Sequence, residues 1–588
     1  MKRFLSCLPI FGCLLLLASF PVFGEEGGPF DCLRCHDDIQ SHSSAHEELA
    51  CHDCHSNVTD RRGHRKTALE TLSGAALCAQ CHEEAVGNLI HTGHVEEASC
   101  ADCHGAPHDI SLVSAPASLI APEMQAETCG KCHSDVSDLW HASAHGTAWS
   151  KGNAEAPVCT SCHQAHGAAT PALSSARQEI PGQCGSCHGD LYSTYRITFH
   201  GKSSKLGLER GAICTDCHTP HSSLPASDPR SSVHPDQLGQ TCGGCHVDVS
   251  GGFVGIDMHN DPTDPEDNVY VYWIYLMMMA LLISVFAFFA LHDLLWLQRI
   301  LIGTWRGEFR PVKPGRDTQT YVRRFSGFYV FLHIVVVITF LLLALTGLPI
   351  KFHAAPWAQG LIDLLGGVEV ASLLHRIAAV GTFGYMVAHL VHLAYRALVR
   401  RESGLFWGPN SMVPQLQDIK DLVGNFRYFL YLGPRPEGDR WTYWEKFDYL
   451  AVFWGVMIIG LSGLMLWFPA FFTQFLPGWA INAALVVHSD EALLATGFIF
   501  VFHLFHTHLR PESFPMDAVV FTGSMTLERF KEERPLEYQR LVERGELDNW
   551  LTEPPGRGTI IWSYVFGLAT LTVGVLLAVA IFWALLSG

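Results

Sequence analysis

The chain has 588 residues, of which 48% are hydrophobic and 16% are charged, and it carries a formal net charge of −18. This length gives room for several domains, and the apolar composition argues against an entirely soluble protein and indicates a membrane part. The acidic balance leaves no basic surface of the kind that binds nucleic acid, so no nucleic-acid partner is expected.

The first 24 residues have the pattern of a cleavable signal peptide. Lys2 and Arg3 precede an apolar run from Leu14 to Phe20, which a short segment separates from two glutamates. Cys13 is a poorer match to a lipoprotein site, because most of the apolar run follows it. Residues 1–24 are therefore predicted to be removed when the chain is exported from the cytoplasm.

From residue 32 to residue 246 the pattern Cys-x-x-Cys-His occurs nine times and uses 18 of the 20 cysteines. It is typical of a c-type haem attachment site, because two thiols at this spacing form thioethers with the haem vinyl groups. The adjacent imidazole, called the proximal histidine below, is then placed against one axial face of the iron. The motifs are Cys32/Cys35/His36, Cys51/Cys54/His55, Cys78/Cys81/His82, Cys100/Cys103/His104, Cys129/Cys132/His133, Cys159/Cys162/His163, Cys184/Cys187/His188, Cys214/Cys217/His218 and Cys242/Cys245/His246.

Zinc ribbons and disulfides are the alternatives, and both explain the pattern less well. A zinc ribbon needs two Cys-x-x-Cys pairs that close on one metal, and it does not require a histidine after each second cysteine. Disulfides leave the histidines unexplained. The sequence thus predicts nine covalent c haems.

Residues 25–259 are predicted to form one exported domain built around these haems. The first cysteines of the odd-numbered motifs recur every 46 to 58 residues, which indicates four and a half repeats of a two-haem unit. The segments between motifs are short and rich in Gly, Ser, Pro and Ala, so they cannot bury enough side chain to fold alone. We therefore expect a haem-packed domain with short helices and little regular structure.

Further histidines recur at fixed places in these repeats and are predicted to be the second, distal ligands of the irons. One distal histidine per haem gives six-coordinate electron carriers without an open position for substrate. The odd-numbered motifs are followed, after 10 to 13 residues, by His46, His94, His145, His200 and His259. The even-numbered motifs are followed, after 3 to 9 residues, by His64, His108, His166 and His221. The sequence leaves the pairing of proximal and distal histidines open.

An acidic linker, 260–268, leads into a C-terminal part, 269–588, that is predicted to be an all-α bundle of six transmembrane helices. Three loops that share one side, 298–324, 400–446 and 510–558, each contain seven Lys or Arg residues. The loops of the other side contain at most one, so the exported domain is placed in the periplasm of a bacterial inner membrane. The predicted spans are 269–297, 325–348, 370–399, 447–468, 481–509 and 559–586.

Histidines inside the spans are functional candidates, because ionisable groups are costly in lipid. His375 and His389 are 14 residues apart on the third span, and His488 and His503 are 15 apart on the fifth. Fourteen residues is close to four helical turns, or about 21 Å, so two facing helices can hold two haems, one near each membrane surface. His375 and His488 are predicted to share the outer haem, and His503 is predicted to bind the inner one.

Two histidines compete for the remaining position on the inner haem. Spacing favours His389, whereas His333 lies at a similar depth, about 12 Å from the cytoplasmic end of the second span. His292 and His353 have no partner at a matching depth, and His506 lies too deep for the outer site.

The spans contain short motifs that point to one family. They are Phe325-x7-His333, Leu345-Thr346-Gly347, Leu374-His375-Arg376, Trp454-Gly455-Val456-Met457, Ser462-Gly463-Leu464-Met465-Leu466-Trp467-Phe468-Pro469, His488-Ser489-Asp490-Glu491-Ala492 and His508-Leu509-Arg510-Pro511. Over residues 320 to 540 the chain is similar to the membrane cytochrome b subunits of formate dehydrogenases and nickel hydrogenases. With its nonahaem domain, the whole chain resembles the CbcL-type inner-membrane cytochromes of metal-respiring bacteria. The resemblance implies two b haems and favours His333 over His389 as the inner ligand.

The resemblance also implies the activity of a menaquinol:cytochrome c oxidoreductase in anaerobic, extracellular metal respiration. Quinol would give electrons to two b haems and nine c haems, which would reduce periplasmic c-type cytochromes. Two alternatives stay open: electrons from periplasmic formate or hydrogen oxidation could reduce quinone, or the chain could be a membrane-anchored electron store. The acidic residues, which outnumber basic ones by 20 between residues 25 and 267, could steer a basic cytochrome.

Three charged residues near the outer haem are further candidates. Asp490 and Glu491 follow His488 and are within reach of a quinol proton, so they are predicted quinone-site residues; a carboxylate pair favoured by a helix dipole is the alternative. Arg376, beside His375, is expected to pair with a haem propionate.

Overall fold

The computed structural model describes residues 45–56, 75–89, 94–167, 174–308, 320–510 and 513–587, with shorter pieces at 32–34, 36, 37, 39, 58 and 92. The predicted signal peptide, Cys35 and His64 lie outside the described residues. The chain divides into two compact units, Met1–Trp140 with Glu155–Ala168, and His141–Ala154 with Ala169–Gly588.

Short helices joined by turns make up the region of the haem motifs, as the sequence predicts. Many begin at the first cysteine of a motif and last a single turn, because the Gly-, Ser- and Pro-rich segments around them favour turns. The helices are Cys51–Cys54, Ala75–Cys78, Glu83–Leu89, His94–Glu97, Cys100–His104, Gln125–Gly130, Ser134–Ala142, Ala144–Ser150, Cys159–Cys162, Ser174–Gly185, Gly189–Ile197, Phe199–Lys205, Cys214–Cys217, Leu238–Gly243 and Gly251–Val254, with a 3-10 turn at Cys32–Arg34.

Six helices in the described part of the second unit are long and apolar enough to cross a membrane. They match the predicted spans within four residues at each end, except that the first continues eight residues past its predicted end, and we number them α1 to α6. They are α1 Val269–Trp305, α2 Gly327–Lys351, α3 Val368–Val399, α4 Tyr443–Trp467, α5 Trp479–His508 and α6 Arg557–Ser587. Asn268 caps the first, since its side chain accepts hydrogen bonds from the backbone N–H groups of Tyr270 and Val271.

The long helices pack in neighbouring pairs. Helix α2 lies against α3, α4 lies against α5, and α1 covers the other side of α5. Helix α6 adds to a core of Leu348, Leu493, Phe500 and Leu577 between α2 and α5. The helices therefore form a bundle in which α3 and α5, the helices with two candidate haem ligands each, both have close partners.

The loops at one end of this bundle pack into a small polar layer that includes a sheet, which the prediction of an all-α part did not contain. Strand β1 Tyr321–Arg323 pairs antiparallel with both β2 Ser524–Thr526 and β3 Leu551–Thr552. Buried Arg324 bonds to Glu537, which also accepts from Arg440. The remaining loop helices of the second unit are Pro356–Leu364, Leu416–Phe429, Pro469–Phe472, Val519–Thr522, Leu527–Glu533 and Pro535–Glu543, with a 3-10 turn at Leu547–Asn549.

At the opposite end, which we call the haem-motif end, the bundle contacts the last part of the haem-motif region within the same unit. Leu206 packs against Ala358 and Ile362 of the loop between α2 and α3. The amide of Asn482 donates to the carbonyl of Asp257 at 2.7 Å. The segments that precede the eighth motif and follow the ninth are thereby held against the end of the bundle nearest His375 and His488.

Close backbone contact at this junction requires glycine. A Cβ at Gly478 would collide with the backbone of Gly255. We predict that Gly478→Val lowers the melting temperature of the purified protein, because overpacking costs about 1–3 kcal/mol. Gly360→Ala is the control, since a Cβ there meets no heavy atom within 4 Å. Equal melting temperatures for Gly478→Val and the wild type would contradict this contact.

Candidate functional site

The haem motifs fold into tight turns. In eight of them the backbone N–H of the histidine donates to the carbonyl of the first cysteine across a turn, as from His36 to Cys32 at 3.1 Å and from His163 to Cys159 at 3.0 Å. Residues three apart in such a turn lie on one side, so the two thiols face the same way. This is the arrangement that two adjacent vinyl groups of one haem require.

The polypeptide alone leaves the second cysteine of most described motifs exposed, which is compatible with a haem that covers it. The exposed second cysteines are Cys54, Cys81, Cys103, Cys132, Cys162, Cys187 and Cys245, whereas Cys217 is half-buried. The flanking segments, short and rich in Gly, Ser and Pro, supply too few large side chains to cover these thiols. The polypeptide therefore leaves them accessible, as a bond to a haem vinyl group requires.

The even-numbered motifs have a cap that the sequence analysis missed. The residue before the second cysteine accepts a hydrogen bond from the backbone N–H that precedes the first cysteine. Asp53 accepts from Ala50 at 2.8 Å, and Asp102 accepts from Ser99 at 2.7 Å. Ser161 and Asp216 do the same in the sixth and eighth motifs. An Asp or Ser at this position was the signal for a preformed turn.

Seven proximal histidines lie opposite a predicted distal histidine. Two imidazoles on opposite sides of one metal have ring centres about 6 Å apart, because each metal–nitrogen bond is about 2 Å and each nitrogen lies about 1 Å from its ring centre. The observed pairs fit one iron each. Ring centres are 6.1 Å apart for His82 and His46, 6.1 Å for His55 and His108, 6.1 Å for His133 and His94, 5.8 Å for His104 and His166, 6.2 Å for His188 and His145, 6.0 Å for His246 and His200, and 6.4 Å for His218 and His259.

The two other proximal histidines, His36 and His163, do not belong to these seven pairs. His36 is half-buried and His163 is exposed, so neither ring is enclosed by the polypeptide. In both, the backbone N–H of the histidine donates to the carbonyl of the first cysteine of its motif. A haem with a distal histidine at these two motifs therefore stays a prediction of the sequence, as does the role of His64 and His221 as distal ligands.

The pairing follows a rule that spacing alone did not give. A histidine that follows an odd-numbered motif faces the proximal histidine of the next odd motif, as His145 faces His188. A histidine that follows an even-numbered motif faces the preceding even one, as His166 faces His104. His259, after the last motif, faces His218 of the eighth. Each of these sites thus joins two different motifs, so haem binding would tie successive repeats together.

The surroundings of several of these rings favour the neutral imidazole that coordinates a metal. Burial lowers the pKa of His104, His145, His200 and His218, and the facing histidine of each pair lowers it further. Neighbouring motifs also lie side by side, since Cys129 interacts with Cys159 of the next motif and Cys184 with Cys214. Haems held by these motifs would therefore follow one another closely.

In the bundle, a histidine pair on α3 and α5 has the same spacing, whereas His292 and His506, with ring centres 5.8 Å apart, both contact Asp293. The rings of His375 on α3 and His488 on α5 have centres 6.2 Å apart. The hydroxyl of Thr346 on α2 is 2.9 Å from Nδ1 of His375, and Nδ1 of His488 is 3.0 Å from the carbonyl oxygen of Ile459 on α4. Such partners fix the orientation of metal-bound imidazoles, and they leave both Nε2 atoms for a metal between the rings.

Two glycines make room for this pair. A Cβ at Gly347 would lie 3.2 Å from the ring of His375, and a Cβ at Gly463 would lie 2.9 Å from the ring of His488. Each glycine follows the hydroxyl residue that faces the same ring, Thr346 or Ser462. A hydroxyl-glycine dipeptide on a neighbouring helix therefore supports each histidine, and the residues fit a haem between α3 and α5.

The candidate ligands of the second predicted b haem differ in the side chains that they contact. Nδ1 of His503 is 2.8 Å from a carboxylate oxygen of Asp448, which leaves Nε2 of this ring for a metal. His333 interacts electrostatically with His503. His389 instead has its Nε2 atom 2.8 Å from the hydroxyl of Tyr449. The surroundings therefore favour His333 over His389 as the partner of His503.

Helix α5 widens before it reaches His503. Its residues Ile499–His503 and Phe505–Leu509 form π-helical turns. A π turn contains one residue more than an α turn. The 15 residues from His488 to His503 on α5 therefore cover about as many turns as the 14 residues from His375 to His389 on α3.

The three charged candidates differ in their surroundings. Arg376 is exposed and lies over the ring of Trp467, with its guanidinium carbon 5.3 Å from the ring centre. Asp490 is ion-paired with Lys351 at 2.8 Å. Glu491 is 3% exposed, and its Oε2 atom has no hydrogen-bond partner among the described residues.

A buried polar cluster at the other end of the bundle was not predicted. Oδ1 of Asp293 is 2.7 Å from Nδ1 of His292 and 3.0 Å from Nε2 of His506, and Nε2 of His292 is 2.5 Å from the hydroxyl of Tyr443. All three acid and imidazole side chains are buried. The His-Asp dipeptide inside an apolar span was the signal, and it was missed because His292 was compared only with histidines at equal depth.

Comparisons with known proteins agree with the haem motifs. Residues 152–192 match the family model described as a doubled CXXCH motif. Over 198 residues, 30% of this chain, the sequence is 28% identical to a protein named multiheme cytochrome MtrA from Shewanella baltica (strain OS185). The match covers 54% of that relative, so the chain spans about half its length.

These findings support a multihaem c-type cytochrome. Within this multihaem cytochrome the matched segment contains the sixth and seventh motifs, and the seventh has the ring pair of His188 and His145. Covalently bound haem c and electron transfer agree with both comparisons, and the six long helices agree with membrane association.

We predict that Gly463→Val reduces extractable haem b, because the added atoms would occupy the space of the His488 ring. Gly455→Val on the same helix is the matched control, since a Cβ at Gly455 meets only Ile459 Cδ1, at 3.8 Å. Haem is extracted with acid acetone and quantified as its pyridine haemochrome. Full extractable haem in Gly463→Val would contradict the site.

Proposed function

We propose that the chain is a menaquinol:cytochrome c oxidoreductase that passes electrons from the quinone pool to periplasmic c-type cytochromes. The observation that most supports this proposal is the His375–His488 pair. Its ring spacing fits two ligands of one haem iron, and it lies inside a bundle of six helices long enough to cross a membrane. The same compact unit contains the last haem motifs, whose flanking segments lie against the end of the bundle nearest that pair. A b-type site and c-type sites in one unit are what an exchange between quinol and cytochromes needs.

The cofactors of this proposal are nine covalent c haems, two b haems and menaquinone. Haem iron supplies one-electron chemistry, and the protein sets its axial ligands, spacing and dielectric environment. Paired histidines would hold each iron from both sides, which would suit electron transfer and leave no position on the iron for substrate. We assign His375 and His488 to one b haem and His333 and His503 to the other.

The proposed location is a bacterial inner membrane, with the haem motifs in the periplasm. The Lys- and Arg-rich loops between the long helices support this orientation through the positive-inside rule. The signal-peptide pattern of residues 1–24 supports export of the motifs, which covalent haem attachment requires.

Glu491 is the proposed proton acceptor for quinol at the haem-motif end. It lies three residues past His488, is buried, and has an unpartnered carboxyl oxygen among the described residues. Asp490 is less suited to this role because Lys351 holds its carboxylate in an ion pair. We therefore give Asp490 a structural role at the quinone site and Glu491 the acid–base role.

We predict that the mature chain contains nine covalent and two extractable haems. His333→Ala should lose one extractable haem and His389→Ala should keep both, because His389 is already bonded to Tyr449. Haem extraction followed by pyridine haemochrome measures both quantities. Loss of a haem in His389→Ala, with both retained in His333→Ala, would reverse the assignment.

We predict that Glu491→Gln slows menaquinol oxidation by about 100-fold and removes its pH dependence, because positioned general bases contribute on this order. The reduction of the b band by menaquinol in stopped flow measures the rate. Asp490→Asn is the control, since it removes the ion pair with Lys351 and should leave the pH profile unchanged. An unaltered rate and pH profile in Glu491→Gln would exclude the role.

A further inference from the structure

Two lysine ammonium groups lie near a single carboxylate at the junction between the haem motifs and the bundle. Lys202 belongs to the helix Phe199–Lys205, which also contains His200. Lys351 ends α2, and its ammonium donates to Ser489 at 2.7 Å and to Asp490 at 2.8 Å. Lys202 interacts electrostatically with both Lys351 and Asp490. Two ammonium groups therefore share one carboxylate.

The environment of Lys202 is unfavourable for its charge. The residue is 9% exposed, and its helix packs against α2, which ends at Lys351. A buried charge is costly unless it is paired, so a site with surplus positive charge is built to receive an anion.

Unpartnered donors lie in the same place. His353 is two residues past Lys351 and within electrostatic range of Lys202; its buried ring nitrogens lie near the backbone of Ile350 and Lys351 but make no close hydrogen bond among the described residues. The indole N–H of Trp357 is likewise buried and unpartnered there. Trp357 packs with Leu206, at the end of the Lys202 helix. Buried donors in native proteins are nearly always satisfied, so these point to an acceptor that is not part of the polypeptide.

The chemistry of this acceptor follows from the donor set. Ammonium, imidazole and indole groups around a surplus positive charge fit a carboxylate, whose oxygens accept several charge-assisted hydrogen bonds. Two proposed haem positions border the site, since Asp490 is two residues from His488 and Lys202 is two residues from His200. Haem has two propionate carboxylates as its only acidic groups.

We propose that Lys202, Lys351, His353 and Trp357 form a carboxylate site that binds haem propionates at this junction. If the carboxylate belongs to a haem of the bundle, Lys202 of the haem-motif region completes that haem site. If it belongs to a haem of the haem-motif region, residues of the bundle complete that site instead. The proposal rests on the haem assignments above. The carboxylate belongs either to the extractable haem of His375 and His488 or to the covalent haem of His246 and His200.

The test is an equilibrium redox titration of the full-length protein at fixed pH, followed separately at the b and c bands. Removing a cation beside a haem stabilises the oxidised iron, so Lys202→Met and Lys351→Met should each lower the midpoint potential of one haem class. A shift in the b band assigns the carboxylate to the extractable haem, and a shift in the c band assigns it to the covalent haem. Lys205→Met, on the exposed side of the same helix, is the control and should shift neither.

Lys202→Arg preserves the charge and is expected to keep the wild-type potential. Unchanged potentials in both Lys202→Met and Lys351→Met, with full haem content, would overturn the proposal. An equal shift in Lys202→Arg and Lys202→Met would also overturn it, since the effect would not then depend on charge. A wild-type protein without extractable haem would instead refute the b-haem assignment, while the c band would still test the carboxylate site.

Discussion

The structure repeats one arrangement, two imidazole rings whose centres lie about 6 Å apart, which is the distance that two ligands on opposite sides of one iron would have. The same spacing of about 6 Å between ring centres occurs among the short helices of the haem motifs and between two long helices of the bundle. In the haem-motif region each observed pair joins two motifs; six pairs skip one motif, and His259 with His218 joins the ninth motif to the eighth. Under the proposed assignment, haem coordination would take the place of a hydrophobic core in segments that are too short and polar to build one.

In the bundle, the packing of the helices sets the distance between the two imidazole rings. Helices α2 and α4 each present a hydroxyl residue followed by glycine to a histidine on the next helix, at Thr346-Gly347 and at Ser462-Gly463. The hydroxyl group orients the imidazole ring, and the glycine leaves room for it because it has no side chain. This repeated support explains why two helix pairs, α2 with α3 and α4 with α5, frame one site.

Much of this organisation could be predicted from the sequence because it rests on local patterns. The nine motifs are contiguous pentapeptides, and the six long helices are uninterrupted apolar runs, so both could be located from the sequence. Seven of the histidines predicted as distal ligands from their recurrence in the repeats lie about 6 Å from a proximal histidine. His375 and His488 could be matched because each lies near the same end of its helix.

What could not be predicted depends on contacts between distant segments. The distal histidines reach the next odd motif or the preceding even one, which no spacing along the chain reveals. The His292–Asp293–His506 cluster and the Lys351–Asp490 ion pair each join different helices. The small sheet joins strands about 200 residues apart, and its strands of two or three residues are too short to show a period.

The most direct test of the account is the coordination state of the irons in the oxidised, full-length protein. Low-temperature electron paramagnetic resonance and near-infrared magnetic circular dichroism distinguish low-spin irons with two imidazole ligands from irons with one. The account predicts that the c and b haems alike are low-spin with two histidine ligands. A substantial high-spin signal from haems with a single histidine would contradict it.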